Sequence, residues 1–234
     1  MVKESILIGR ETECMVIKEL MARKKDIMIL GEEGVGKSAI INKLLSERDR
    51  ENFLYSSQSK TLKEALISLI EFRAGSKKNI QNKTTLTLKK IGYEILDQHT
   101  GYVVFDHISW IEPRFYGFLI YIMNKKLPLI ILARGMEKTN IGQLWRASYT
   151  FEKVEITTLD KSRADELIRH YITSLCLKVI EESEFNRKVF NFSKGNPKII
   201  KQLCFLTRDE KYHAKGYPDV KLMDLDRRIS QATN

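Results

Sequence analysis

The stretch Asp26-Ile27-Met28-Ile29-Leu30-Gly31-Glu32-Glu33-Gly34-Val35-Gly36-Lys37-Ser38-Ala39-Ile40-Ile41 carries the strongest structural signal in the chain. A short apolar run ends at a glycine, a glycine-rich turn follows, and Ile40, Ile41, Leu44 and Leu45 then recur at helical spacing. Strand, turn and helix thus surround a full GxxxxGK[ST] pattern from Gly31 to Ser38. With glycine at about 7% of residues, such a match arises by chance in a chain this long on the order of once in a hundred. Glycines let the backbone curl so that successive N–H groups converge on one anion, and the following helix adds the positive end of its dipole. In that geometry Lys37 meets the β and γ oxygens of a nucleoside triphosphate and Ser38 ligates Mg²⁺. Gly31, Glu32, Glu33, Gly34, Val35, Gly36, Lys37, Ser38 and Ala39 are the expected phosphate contacts.

Downstream, Asn52 to Ser56, Tyr102 to Phe105, Pro128 to Leu132 and Phe151 to Ile156 read as strands. Helical patterns at Leu62 to Ile70, Leu86 to Leu96 and Phe115 to Met123 separate them. Strands alternating with helices predict an α/β fold, a parallel sheet covered on both faces in three layers. Asp106, directly after the Tyr102 run and about 70 residues past the loop, is placed to hold the metal through water. Its other reading is a cap for the next helix.

After Thr158 the strand signal stops. Asp160 is placed to N-cap a helix with Ala164, Leu167, Ile168, Tyr171, Ile172 and Leu175 on one face. Helices near Glu182 to Phe192, Pro197 to Leu206 and Val220 to Ile229 complete a small helical domain. The expected division is 1–158 for the nucleotide-binding α/β domain and 159–234 for the helical domain with its basic tail.

At 234 residues, 43% hydrophobic and 30% charged, the chain can bury one large core and a smaller one. Disorder is not expected to dominate. Cys14, Cys176 and Cys204 lie far apart among apolar residues, which predicts buried reduced thiols rather than a disulfide framework or zinc site. No apolar run is long enough to span a bilayer, and the amino terminus has Glu4 and no cleavable apolar core, so a cytoplasmic protein without membrane contact is expected. The net charge of +10 is spread along the chain: 25 basic against 19 acidic residues up to Thr158, and 15 against 11 beyond. Two acid-free runs, Arg73 to Tyr93 and Asn186 to Arg208, hold six basic residues each. The first, a basic loop from Arg73 to Lys90, makes nucleic acid a possible partner, with solvated lysines as the alternative. His99, His170 and His213 show no ligand spacing, and Trp110 and Trp145 are expected in core or lid contacts.

Taken in order, these segments resemble the AAA+ ATPases of the STAND and origin-recognition-like branch, over nearly the whole chain. Ile8-Gly9-Arg10-Glu11 is similar to the box that opens such modules, which implies that backbone near Gly9 and Arg10 meets the adenine. Asp106-His107-Ile108-Ser109-Trp110-Ile111-Glu112-Pro113 resembles the family's metal-linked acidic segment. Leu129 to Arg134 resembles its sensor strand, which implies that Arg134 contacts the γ-phosphate. Leu159 to Leu167 resembles the start of its lid, and Gly195-Asn196-Pro197 the lid motif that brings Pro197 over the base. The resemblance implies a P-loop NTPase sheet with a C-terminal helical lid, ATP or ADP with Mg²⁺ as ligands, and Lys37, Asp106, His107 and Arg134 as catalytic residues. His107 stands where the family often has a second acid. Histidine can act as a base near neutral pH or simply fill a polar position, and Glu112 is a remote substitute.

The expected function is an ATP-binding, slowly hydrolysing switch that couples nucleotide state to lid movement and to a protein partner or homo-oligomer. A DNA-binding loader or regulator of replication or transposition is the second expectation. A nucleotide-holding adaptor without significant turnover is the third.

Overall fold

The structure, a computed structural model, describes residues 7–47, 50–75, 80–214 and 217–232. Chain contacts divide it into two compact units. The first holds Thr12–Glu32 and Lys37–Ile156; the second holds Leu7–Glu11, Glu33–Gly36 and Thr157–Asn234.

The first unit is built on β1 (Ile27–Leu30), β2 (Phe53–Ser56), β3 (Tyr102–Ile108), β4 (Leu129–Ala133) and β5 (Glu152–Glu155). They form one sheet in the order β2-β3-β4-β1-β5, every neighbouring pair parallel. Helices α1 (Glu11–Ala22), α2 (Lys37–Glu47), α3 (Leu62–Ala74), α4 (Thr85–Asp97), α5 (Pro113–Asn124) and the short α6 (Lys138–Ile141) accompany it. A parallel sheet needs apolar residues on both faces, and β1 and β4 are buried at every position. Phe105 meets Phe115 and Phe118 of α5 edge-on, with ring centroids 5.7 and 6.4 Å apart. Full burial of each such side chain contributes about 1.5–3 kcal/mol. β5, at the sheet edge, exposes Glu152, Lys153 and Glu155, charges that discourage pairing with another strand.

Local chemistry sets the helix ends. Thr61 and Glu64 form a reciprocal capping box at the start of α3, and Gly75 ends it in the left-handed conformation. In the second unit α7 (Lys161–Ser174) begins at Asp160, whose carboxylate accepts the Arg163 N–H at 2.9 Å, as its sequence position predicts. α8 (Glu182–Ser193), α9 (Pro197–Leu206) and α10 (Val220–Ala232) follow. Leu167, Ile168, Val189, Ile200, Leu203 and Met223 are among the residues that close its core. Gly195 takes φ +74 between α8 and α9, and a side chain there would run into the Leu159 carbonyl.

Several elements go beyond the pattern reading. α1 carries only a thin apolar stripe, Cys14, Ile17 and Met21, yet all three are buried. The polar tail contains a small antiparallel ladder, β6 (His213–Ala214) with β7 (Tyr217–Pro218). Trp110 and Trp145 are exposed, not core, because their neighbours Ile111 and Leu144 take the inward positions. Cys176 is likewise exposed, at φ +50 just past α7, whereas Cys14 and Cys204 are buried. In the basic run after Arg73, Lys77 and Lys78 lie outside the described residues. Among the described residues no helix is long and apolar enough to cross a membrane.

Candidate functional site

In the first unit the register aligns Leu30, Ala133 and Ile108 across β1, β4 and β3. Gly31, Arg134 and the end of β3 therefore share one edge of the sheet. Neighbouring strands lie about 4.8 Å apart, so the ends of β1 and β3 are separated by roughly 10 Å. This carboxyl edge is where open α/β sheets receive ligands.

Gly31 to Gly36 form the loop between β1 and α2, and Lys37 and Ser38 open the helix. Gly31, Gly34 and Gly36 take φ +153, +83 and +107, a conformational set that residues with a Cβ resist. Lys37 Nζ donates to the carbonyls of Gly31 and Glu32 at 2.6 and 2.9 Å. Within the second unit the next three loop carbonyls are tied as well. Asn196 Nδ2 donates to Glu33 O at 2.8 Å, the Lys198 N–H to Gly34 O at 3.1 Å, and Arg10 Nη2 to Val35 O at 2.9 Å. Each trans peptide directs its N–H opposite to its C=O, so each carbonyl held in this way turns the amide that follows it away from the carbonyl's own donor. A Cβ at Gly36 would meet nothing nearer than Arg10 Nε at 3.9 Å, which leaves room beside that backbone. At Gly34 a Cβ would fall 2.6 Å from both Asn196 Oδ1 and Lys198 Cβ, so glycine is required by the close approach of α9.

Arg10 is buried, and its guanidinium also donates to Thr157 O. Its side chain clamps backbone rather than presenting charge to solvent. Gly9, at φ +70, packs against Arg163: a Cβ would sit 3.0 Å from the Arg163 Cβ. Pro197 takes the first position of α9, where its missing N–H costs nothing, and Asn196 caps the helix by accepting from Lys198 and Ile199. Asn196 thus serves two ends at once, α9 through its oxygen and the Glu33 carbonyl through its nitrogen. The Lys198 ammonium meets the Glu33 carboxylate at 2.6 Å.

Asp106 lies inside β3 and does not cap α5, whose N-cap is Glu112. The β3–β4 register shifts between Phe105 and Ile108, a bulge in which His107 takes φ +56. The bulge buries Asp106 and leaves His107 exposed. Asp106 Oδ1 accepts the His107 N–H at 2.7 Å and Oδ2 accepts the Tyr55 hydroxyl at 3.0 Å. Burial first, and the Asp106 charge second, push the Tyr55 phenol far above its usual range, so it remains a donor. No sequence signal marks Tyr55, because nothing local links β2 to an acid 51 residues away. Tyr55→Phe is expected to destabilise the chain by about 1.5–3 kcal/mol, the range for a hydrogen bond to a charged partner, measured by urea unfolding.

Arg134, just past β4, places Nε and Nη2 at 2.9 and 2.7 Å from the same oxygen of Glu32. The first unit therefore brings Gly31, Glu32, Lys37 and Arg134 together. Asp106 stands two strands from β1 with its own partners. Ser38 and Asp106 supply a hydroxyl and a carboxylate, hard oxygen donors of the kind Mg²⁺ takes.

No protein-family model and no curated protein matches the chain. Among solved structures it is similar to the Walker-type ATPase PABY2304 of Pyrococcus abyssi, at 16% identity over 97% of this chain and 72% of that one, with a TM-score of 0.59. It is also similar to the Orc1 protein of Aeropyrum pernix, solved in complex with DNA, at 10% identity over 96% of this chain and 66% of that one, with a TM-score of 0.65. With its five parallel strands and the glycine loop after β1, the chain has the three-layer α/β fold of P-loop nucleoside triphosphatases.

Proposed function

We propose that the chain binds ATP at the Gly31–Ser38 loop and hydrolyses it slowly, as a switch whose helical unit responds to the nucleotide's state. The observation that supports this reading is that each carbonyl from Gly31 to Val35 accepts a donor of its own unit, an arrangement suited to a loop whose amides serve an anion. Lys37 neutralises the β and γ oxygens, Ala39 adds the amide at the base of α2, and backbone near Gly9 and Arg10 faces the adenine. Ser38 and, through water, Asp106 would hold Mg²⁺, which neutralises charge on the β and γ oxygens. Loss of the γ-phosphate releases Arg134, and the change reaches the helical unit through Glu33–Gly36 and Pro197, altering contact with a protein partner or second copy. His107, exposed on the bulge, is open to an incoming water, and hydrolysis without a second acid is slow. Isothermal titration of the intact chain with ATP, with Mg²⁺ and then with excess chelator, tests the reading. Saturable binding that weakens without Mg²⁺ is expected; no heat with ATP or ADP in either condition overturns it.

A second reading, a DNA-associated ATPase, is favoured by the acid-free run that lands on α8 and α9. Arg187, Lys188, Lys194, Lys201 and Arg208 are exposed there. Glu184 offsets part of that charge through Lys188 and Arg187. The DNA-bound state of the Orc1 structure adds support. Phosphate neutralisation makes genuine DNA binding fall steeply with salt. A gel shift with duplex DNA that is absent, or flat between about 50 and 200 mM salt, sinks this second reading.

A further inference from the structure

A phosphate loop gains from positive charge, yet this one places two carboxylates, Glu32 and Glu33, immediately after its first glycine. Glu32 is held at both ends by cations. Its carbonyl accepts from the Lys37 ammonium at 2.9 Å, and one carboxylate oxygen accepts from Arg134 Nε at 2.9 Å and Nη2 at 2.7 Å. Two N–H groups of one guanidinium on a single oxygen make a directed, charge-assisted contact, the geometry a phosphate oxygen also offers. The two side chains are 66% and 65% exposed, so the pair is open to exchange. An exposed ion pair contributes little stability, and a divalent or trivalent anion can displace a carboxylate from it.

We infer that Glu32 sets the site's preference between nucleoside di- and triphosphates: its carboxylate occupies Arg134 and competes with the terminal phosphate for it. This inference rests on nucleotide binding at the loop. A diphosphate leaves the Glu32–Arg134 pair intact. A triphosphate has to draw Arg134 away and then sits beside a carboxylate that has lost its counter-ion. Both effects act on the triphosphate alone, so Glu32 lowers ATP affinity relative to ADP while its backbone still contributes to the cradle. At the contact distances of an exposed site, one such charge interaction corresponds to roughly a five- to tenfold change in affinity.

The test is titration of the full chain with MgADP and with Mg²⁺ and the β,γ-imido analogue of ATP, in wild type, Glu32→Gln, Arg134→Gln and the double variant. Glutamine keeps the length and exposure of Glu32 and removes only its charge. Glu32→Gln is expected to raise the triphosphate-to-diphosphate affinity ratio by roughly five- to tenfold, a ratio in which any change common to both nucleotides cancels. With Arg134 already replaced, there is no guanidinium to compete for, and the gain from Glu32→Gln is expected to fall by at least about half. A ratio within about twofold of wild type in Glu32→Gln, or an undiminished gain without Arg134, overturns the inference while leaving nucleotide binding in place. Wild type that binds neither nucleotide removes the binding reading and this inference together.

Discussion

Replacing Lys37 by alanine is expected to weaken MgATP binding by at least about a hundredfold, equivalent to about 2.7 kcal/mol. The ammonium group is the one cation built into the loop itself, and its present acceptors, the Gly31 and Glu32 carbonyls, hold it within the turn. A phosphate exchanges these neutral acceptors for charged ones, which adds attraction between opposite charges to hydrogen bonds already strengthened by the ammonium. Alanine forfeits that exchange and leaves two loop carbonyls without this donor, so the cradle also loses definition. Calorimetry on the variant gives the answer. Affinity equal to wild type, in a variant with an unchanged unfolding midpoint, would remove the loop from the binding site.

Asp106→Asn is expected to separate binding from turnover. ATP affinity stays within about threefold of wild type, while single-turnover phosphate release falls by about a hundredfold or more, the scale seen when one preorganised electrostatic partner of a reaction is lost. The separation follows from the local bonds. Asparagine keeps an oxygen for the His107 N–H, and its NH₂ can donate to the Tyr55 hydroxyl, which turns to accept. The bulge therefore survives, and the variant differs chiefly by one negative charge. Measurable wild-type hydrolysis that persists at full rate in Asp106→Asn excludes this aspartate from the metal-linked role. A drop in affinity as large as the drop in rate would assign it to binding instead.

His107 illustrates how a local rule and a tertiary constraint diverge. Continuous β-prone residues mark Tyr102 to Phe105 as a buried strand, and the structure extends that strand through Asp106 and His107 to Ile108. The extension depends on a register shift against β4, which has no signature in the residues of β3 alone. Arg134 is similar: its position after an apolar strand is evident from sequence, but its pairing with Glu32 spans 102 residues.

Residues close along the chain are enough to specify the strand, turn and helix around Gly31 to Ser38, the alternation that demands a parallel sheet, and the capping of α7 by Asp160. Those features arise from glycine's backbone freedom, from periodicity and from a side chain reaching its own helix, all interactions within a few residues. Packing of the folded chain places β4 between β1 and β3, sets Tyr55 against Asp106, and brings Asn196 and Arg10 to loop carbonyls. Strand order and side-chain partnership across 25 to 163 residues are settled by which packing buries the whole apolar surface at once. No short window of the chain carries that information.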